Sequence, residues 1–136
     1  MYAVEVEKLT KIYGRGHTAV RAIEGATLQV KPGELVAILG PSGSGKTTLL
    51  TAIGLINEPT HGKVVIDGVT VADEGWRTGL DLKKIRREKL GFIFQAHNLI
   101  PFLTALENVI VALQINGRTE PEARARATEL LGALNL

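Results

Sequence analysis

The chain has no cysteine, which excludes a disulfide framework and any thiolate-held metal. It has no excess of charge of one sign. The 16 Lys and Arg stand against 14 Asp and Glu, a net charge of +2, so there is no electrostatic case for nucleic acid as the main partner. No apolar run approaches the ~20 residues needed to cross a bilayer, and no direct membrane span is expected. Glu5 and Glu7 near the start, with no apolar segment between basic and small residues, argue against a secretory signal; the expected location is the cytosol. His17, His61 and His97 are isolated and lack a ligand spacing such as HExxH, which makes them surface or loop histidines rather than metal ligands. There is no internal repeat and no low-complexity tract.

The 45% hydrophobic and 22% charged residues belong to a globular chain, and 136 residues suffice for one modest domain with a real core. Ala3–Glu7 and Ala26–Val30 alternate with period two and read as strands. Lys31-Pro32-Gly33-Glu34 is a turn, with Pro setting φ and Gly supplying positive φ. Leu35–Leu39 reads as a buried strand. Val64–Ile66 and Val69–Val71 around Asp67-Gly68 form a hairpin with a two-residue turn. Residues 72–81, with Trp76, read as an exposed connection. A short helix around Leu82 and Ile85, whose Lys83, Lys84, Arg86, Arg87 and Lys89 form a solvated face, leads to the apolar strand Leu90–Phe94. Thr104 with Glu107 and Thr119 with Glu122 are capping boxes. They open helices whose apolar faces are Leu106, Val109, Ile110 and Leu113, then Ala123, Ala127, Leu130, Leu131 and Leu134. Gly117 separates the two.

One run carries chemistry. Gly40-Pro41-Ser42-Gly43-Ser44-Gly45-Lys46-Thr47-Thr48 fits GxxxxGK[ST] at every position, directly after the strand Leu35–Leu39 and before the helical stretch from Thr48 to Ile53. Glycines at 40, 43 and 45 let backbone N–H groups turn inward, where they and a helix N-terminus meet the negative charge of a phosphate chain. Lys46 would reach the terminal phosphates and the Thr47 hydroxyl would hold Mg²⁺. The loop alone does not separate transport ATPases from small kinases or GTPases, although no Asn-Lys-x-Asp base-reading motif is present.

The loop, together with Leu9-Thr10-Lys11-Ile12-Tyr13-Gly14, with Gly91-Phe92-Ile93-Phe94-Gln95 and Asn98-Leu99-Ile100-Pro101, and with Leu103-Thr104-Ala105-Leu106-Glu107-Asn108-Val109, resembles the nucleotide-binding subunit of ABC transporters over essentially the whole chain. The branch it most resembles serves lipoprotein release, macrolide export and related efflux. The resemblance implies an α/β P-loop NTPase fold, a RecA-like ABC ATPase core with an antiparallel β subdomain and the start of a helical subdomain. It implies an ATP-binding core with the β subdomain over residues 1–94, and the Q-loop with the first part of the helical subdomain over 95–136. By the same resemblance Tyr13 stacks on adenine, residues 40–48 hold ATP and Mg²⁺, and Gln95 touches Mg²⁺ and the attacking water. An aromatic face suits a purine and a neutral amide binds metal or water without adding charge, although Tyr13 taken singly is equally an ordinary core or surface tyrosine. The implied partners are a transmembrane permease subunit, met by residues 96–107, and a second nucleotide-binding subunit. That would place the chain peripherally on the inner face of the membrane. The alternative for Phe102, Leu103 and Leu106 is local core.

The family pattern continues with a Leu-Ser-Gly-Gly-Gln signature, a Walker B strand ending in Asp-Glu and a switch histidine, and these 136 residues contain none of the three. Val64-Val65-Ile66-Asp67 mimics Walker B, but Gly68 marks it as a turn, and His97 is too close to Gln95 for the switch. Two expectations follow. The chain is an N-terminal portion of a transport ATPase subunit, or it is a nucleotide-binding module that binds without hydrolysing; in either case the Leu35–Leu39 and Leu90–Phe94 strands lack their neighbours.

Overall fold

The computed structural model describes residues 1–136, which form two compact units, 1–92 and 93–136. In the first, β1 (Val4–Tyr13) and β2 (Val20–Val30) make a long antiparallel pair running, with register shifts, from Val4↔Val30 to Tyr13↔Val20, joined through a single 3₁₀ turn at Gly16–Thr18. β3 (His61–Ile66) adds to the other edge of β1, and β4 (Val69–Asp73) follows through Asp67-Gly68, giving the order β2-β1-β3-β4, antiparallel throughout. Both turn residues have positive φ, +49° and +79°; this is the turn expected from Asp-Gly, whose twist matches that of the strands.

β1 is longer than its sequence pattern suggests because it contains a bulge. Val6 and Leu9 are both fully buried, although an odd spacing would send them to opposite faces of a regular strand. Lys8 takes φ +48° and the register to β2 slips between Val6 and Leu9. The extra residue thus returns Leu9 to the face of Val6. These two, with Val64, Ile66, Val71, Ala72, Ala52 and Leu55, make the main core; each large aliphatic buried there is stabilising by about 1.5–3 kcal/mol.

The helix α1 (Lys46–Ile53) covers this core with Ala52, and Leu55 follows it in a left-handed conformation, φ +57°, at 4% exposure. From α2 (Leu82–Lys89), capped by Asp81 accepting the Lys84 N–H, Leu82 and Ile85 pack on the core and Arg86 donates to the Leu55 carbonyl at 2.9 Å. Trp76 corrects the reading of 72–81 as wholly exposed. It bridges to Ala72 and packs on the same core, and its backbone N–H donates to the Glu58 carboxylate at 2.8 Å.

Two expected strands are not part of any sheet. Leu35–Leu39 carries no regular secondary structure and no ladder pairing, and Leu35 is 99% and Leu39 89% exposed. Residues 90–94 likewise form no ladder and leave Ile93 exposed; Leu90 packs on the core and Phe92 sits over Gly54. β1 already has β2 and β3 on its two sides, and the four-stranded sheet includes neither segment. The Lys31–Glu34 turn forms, with Gly33 at φ +76° and the Glu34 N–H donating to the Lys31 carbonyl.

The second unit is a helical pair. α3 (Ala105–Ile115) and α4 (Glu120–Ala133) both begin in full capping boxes, at Thr104 with Glu107 and Thr119 with Glu122. Ile110 packs against Ala123 and Ala127, flanked by Leu106, Val109 and Leu113. The small alanines let the helices approach closely. The expected apolar face of α4 is therefore only partly used, with Leu130 and Leu134 exposed.

Candidate functional site

The glycine-rich loop leads directly into α1, with Gly45 as its N-cap residue at φ +89°. Its shape depends on the strand beside it. The β1–β2 register skips Ala22, between Ile23 opposite Lys11 and Arg21 opposite Ile12. The carbonyl of Ala22 points at Gly45, where a Cβ would lie only 2.3 Å from that oxygen. Only glycine fits both the conformation and the gap. Gly43, φ +79°, has open space beside it, whereas a Cβ on Gly40 would meet the Ser44 hydroxyl at 2.7 Å.

Lys46 folds back over the loop. Its ammonium donates to the carbonyls of Gly40 at 2.7 Å and Pro41 at 2.6 Å and to Ser44 Oγ at 3.3 Å. The start of α1 has no side-chain cap and no acidic residue in its first turn, so its free N–H groups and positive dipole end are not neutralised from within the chain. This donor set, a lysine ammonium, uncapped helix N–H groups and small flanking residues that admit close approach, fits a nucleotide phosphate chain. Thr47, exposed in the first turn of α1, offers a hydroxyl oxygen of the hard type that Mg²⁺ prefers. A cavity of about 280 Å³ adjoins the loop, lined by Ile23, Ile38, Leu39, Lys46 and Leu49 among others, with no carboxylate in its wall.

Tyr13 ends β1, the residue 40% exposed. Two residues that the sequence reading does not single out hold it. The Lys11 ammonium lies 4.9 Å from the ring centroid and donates to the Glu58 carbonyl at 2.7 Å. Asn57 Nδ2 donates to the Tyr13 hydroxyl at 3.5 Å and to Thr51 Oγ1, on α1, at 2.9 Å. The structure thus links Tyr13 to the helix that the phosphate loop opens. The spacing of Lys11 and Tyr13, two apart on one strand, is the one signal from which the first contact could be read.

Gln95 lies in the other compact unit, exposed at a bend. Beyond it the segment before α3 is pinned by Asn108, whose amide oxygen accepts the Ile100 N–H and whose nitrogen donates to the carbonyls of Ile100, Leu103 and Thr104. Leu106 packs against the helix pair, while Phe102 is 85% exposed, so local core does not account for Phe102. Asp67, the Walker B mimic, sits in the hairpin turn and pairs with Lys89 at 2.6 Å. His61 is exposed on β3 against the Glu74 carboxylate at 2.7 Å. No group of three or more His, Asp or Glu side chains could hold a metal ion, and no helix is long and apolar enough to cross a membrane.

Known proteins resemble the chain closely. An ATP-binding protein of an ABC transporter from Thermotoga maritima is 44% identical over 133 residues, covering 98% of this chain and 56% of that protein. The lipoprotein-releasing system ATP-binding protein LolD 1 of Rhodospirillum rubrum is 42% identical, covering 98% and 58%. Among solved structures, the ATP-binding cassette MJ0796, described as a dimer in a post-hydrolysis state bound to ADP and Pi, superposes with a TM-score of 0.83 at 43% identity, over 98% of this chain and 57% of that one. The chain thus spans a little over half the length of these relatives. The family model of the ABC transporter matches residues 23–136, from the β2 segment that shapes the loop to the last residue of the helical unit, and the chain belongs to the ABC transporter family of ATP-binding proteins.

Proposed function

We propose that the chain binds MgATP as part of the ATP-binding subunit of an ABC transporter of the efflux or lipoprotein-release type, working with a membrane permease and a second nucleotide-binding subunit on the cytoplasmic face. The observation that carries this is the loop: Gly45 wedged against the Ala22 carbonyl at an uncapped helix start, with the Lys46 ammonium folded over it. When the phosphates enter, Lys46 exchanges two carbonyl partners for charged oxygens, which makes the stronger, charge-assisted bond. Residues 40–48 hold the phosphate chain, Thr47 serves Mg²⁺, and Tyr13, partly exposed at the end of β1, stacks on the base. Mg²⁺ supplies neutralisation of the charge that develops on the transferring phosphoryl group. The exposed Phe102 and its pinned loop belong to the surface offered to the permease.

Calorimetric titration of MgATP tests the reading. A charge-assisted bond contributes about 1.5–3 kcal/mol, so Lys46→Ala is expected to weaken binding by about tenfold to a hundredfold. Thr47→Ala is expected to weaken it only when Mg²⁺ is present. Unchanged affinity in Lys46→Ala would overturn the assignment.

A further inference from the structure

We infer that Lys11 is a positioning residue for the base-binding face of Tyr13, a cation fixed on one side of the ring so that the other side is presented to the base. The inference rests on the proposed stacking role of Tyr13. Three observations support it. The Lys11 ammonium lies over the Tyr13 ring, 4.9 Å from its centroid, within the ~6 Å at which a cation and an aromatic face attract. That ammonium is not loose: the Glu58 carbonyl accepts from it at 2.7 Å, bringing the segment after α1 to the end of β1. The ring's rim is tethered too, since Asn57, the neighbour of Glu58, donates to the Tyr13 hydroxyl and to Thr51 on α1.

A tyrosine at a strand end, 40% exposed as a residue, would otherwise sample several rotamers, and a base would have to order it on binding. Fixing the side chain beforehand removes that entropic cost. The ammonium also fills one face, leaving a single face for stacking. Because Asn57 and Glu58 follow the helix that the phosphate loop opens, the two contacts set the ring against that helix and not merely against its own strand.

The test is a double-mutant cycle on the full chain, titrated with MgATP and with Mg²⁺ and inorganic triphosphate, which has no base. Tyr13→Ala is expected to weaken MgATP by about tenfold, in line with the stacking of one base on an aromatic ring. Lys11→Met, which keeps an apolar stem without the charge, is expected to weaken it about threefold to tenfold. Neither is expected to alter binding of the triphosphate. The double variant is expected to bind MgATP no more weakly than Tyr13→Ala, because Lys11 acts through the ring. Lys11→Arg, a cation that also stacks on aromatic rings, is expected to restore affinity. Lys11→Gln, an uncharged side chain able to donate to the Glu58 carbonyl, runs the same cycle should Lys11→Met fail to fold.

If Tyr13→Ala binds MgATP normally, the stacking role itself falls. If Tyr13→Ala weakens binding and Lys11→Met does not, only the positioning role falls. Equal loss for triphosphate and MgATP in Lys11→Met would make Lys11 a general electrostatic or structural residue, and tighter MgATP binding would mean that Lys11 obstructs the stacking face; either result overturns the inference.

Discussion

At position 45 a methyl group would have to share space with a backbone oxygen. The Ala22 carbonyl lies 2.3 Å from where that methyl would be, and the main chain there is left-handed at φ +89°. Gly43 has a similar left-handed φ of +79° but nothing within 4 Å. The two glycines separate conformational cost from collision. Gly43→Ala is expected to lose about 1–2 kcal/mol of stability, the cost of a left-handed non-glycine residue. Gly45→Ala is expected to lose clearly more, because backbone cannot move aside as a flexible side chain can. Urea denaturation of both variants measures the difference, and equal losses would remove the Ala22 contact from the account. The loop's residues were legible in the sequence, since glycine, lysine and threonine at fixed spacing have a chemistry of their own. The carbonyl that makes Gly45 obligatory was not, because it depends on one skipped residue in a strand pairing about twenty residues upstream.

Among the elements, the helical pair is where local sequence signals and structure agree most closely. Thr104 accepts the Glu107 N–H while the Glu107 carboxylate accepts the Thr104 N–H and hydroxyl at 2.7 and 2.8 Å, and the Glu122 carboxylate likewise accepts the Thr119 N–H and hydroxyl at 3.0 and 2.8 Å. These boxes announce themselves within four residues, so they are readable without tertiary information. Thr104→Ala is expected to cost about 1 kcal/mol of helix stability. Both glutamates are held below their ordinary value of 4.5, first by the backbone N–H of their threonine and next by its hydroxyl. A lowered folded-state value means that the unfolded chain takes up the proton first. The stabilisation is therefore complete above about pH 4.5 and is lost as pH falls through the lower folded-state values. Circular dichroism of acid titrations is expected to show α3 and α4 losing helix in that window, with the step reduced in a Glu107→Gln, Glu122→Gln variant. A step of unchanged size would mean that other carboxylates govern it. The strands were harder to read. The bulge at Lys8 breaks the period of β1, so alternation revealed only its first residues, whereas the hairpin at Asp67-Gly68 was legible because its turn is local.

For the whole molecule, two quantities set what residues 1–136 do by themselves: the apolar surface they leave uncovered and the carboxylates they bring to the loop. Leu35, Leu39 and Ile93 stand almost fully exposed on segments outside the sheet. Their apolarity, which made them look like buried strands, is real, but burial needs neighbours that no sequence pattern within the segment can supply. Exposed apolar side chains of this size favour association between chains, so the polypeptide is expected to self-associate as concentration rises, and Leu35→Lys with Ile93→Lys to suppress this in sedimentation experiments without weakening MgATP binding. The proposed phosphate site, by contrast, is built within the first unit, from the loop, the start of α1 and the β2 carbonyl beside Gly45. Turnover asks for more: an oriented water, a group to take its proton and stabilisation of the transferring phosphoryl group. The cavity wall beside the loop holds no carboxylate, and Asp67, which follows the buried Val64, Val65 and Ile66, sits in the hairpin turn and pairs with Lys89 of α2. Pairing two copies of the same 136 residues supplies nothing that each lacks. The purified polypeptide is therefore expected to bind MgATP and release no phosphate from it. A polypeptide carrying the Asp-Glu strand and signature loop of the family is expected to restore turnover, along with partners for the exposed segments. Steady phosphate release by the 136 residues alone, abolished by Lys46→Ala so that a contaminant is excluded, would show that an acid elsewhere in the chain reaches the water.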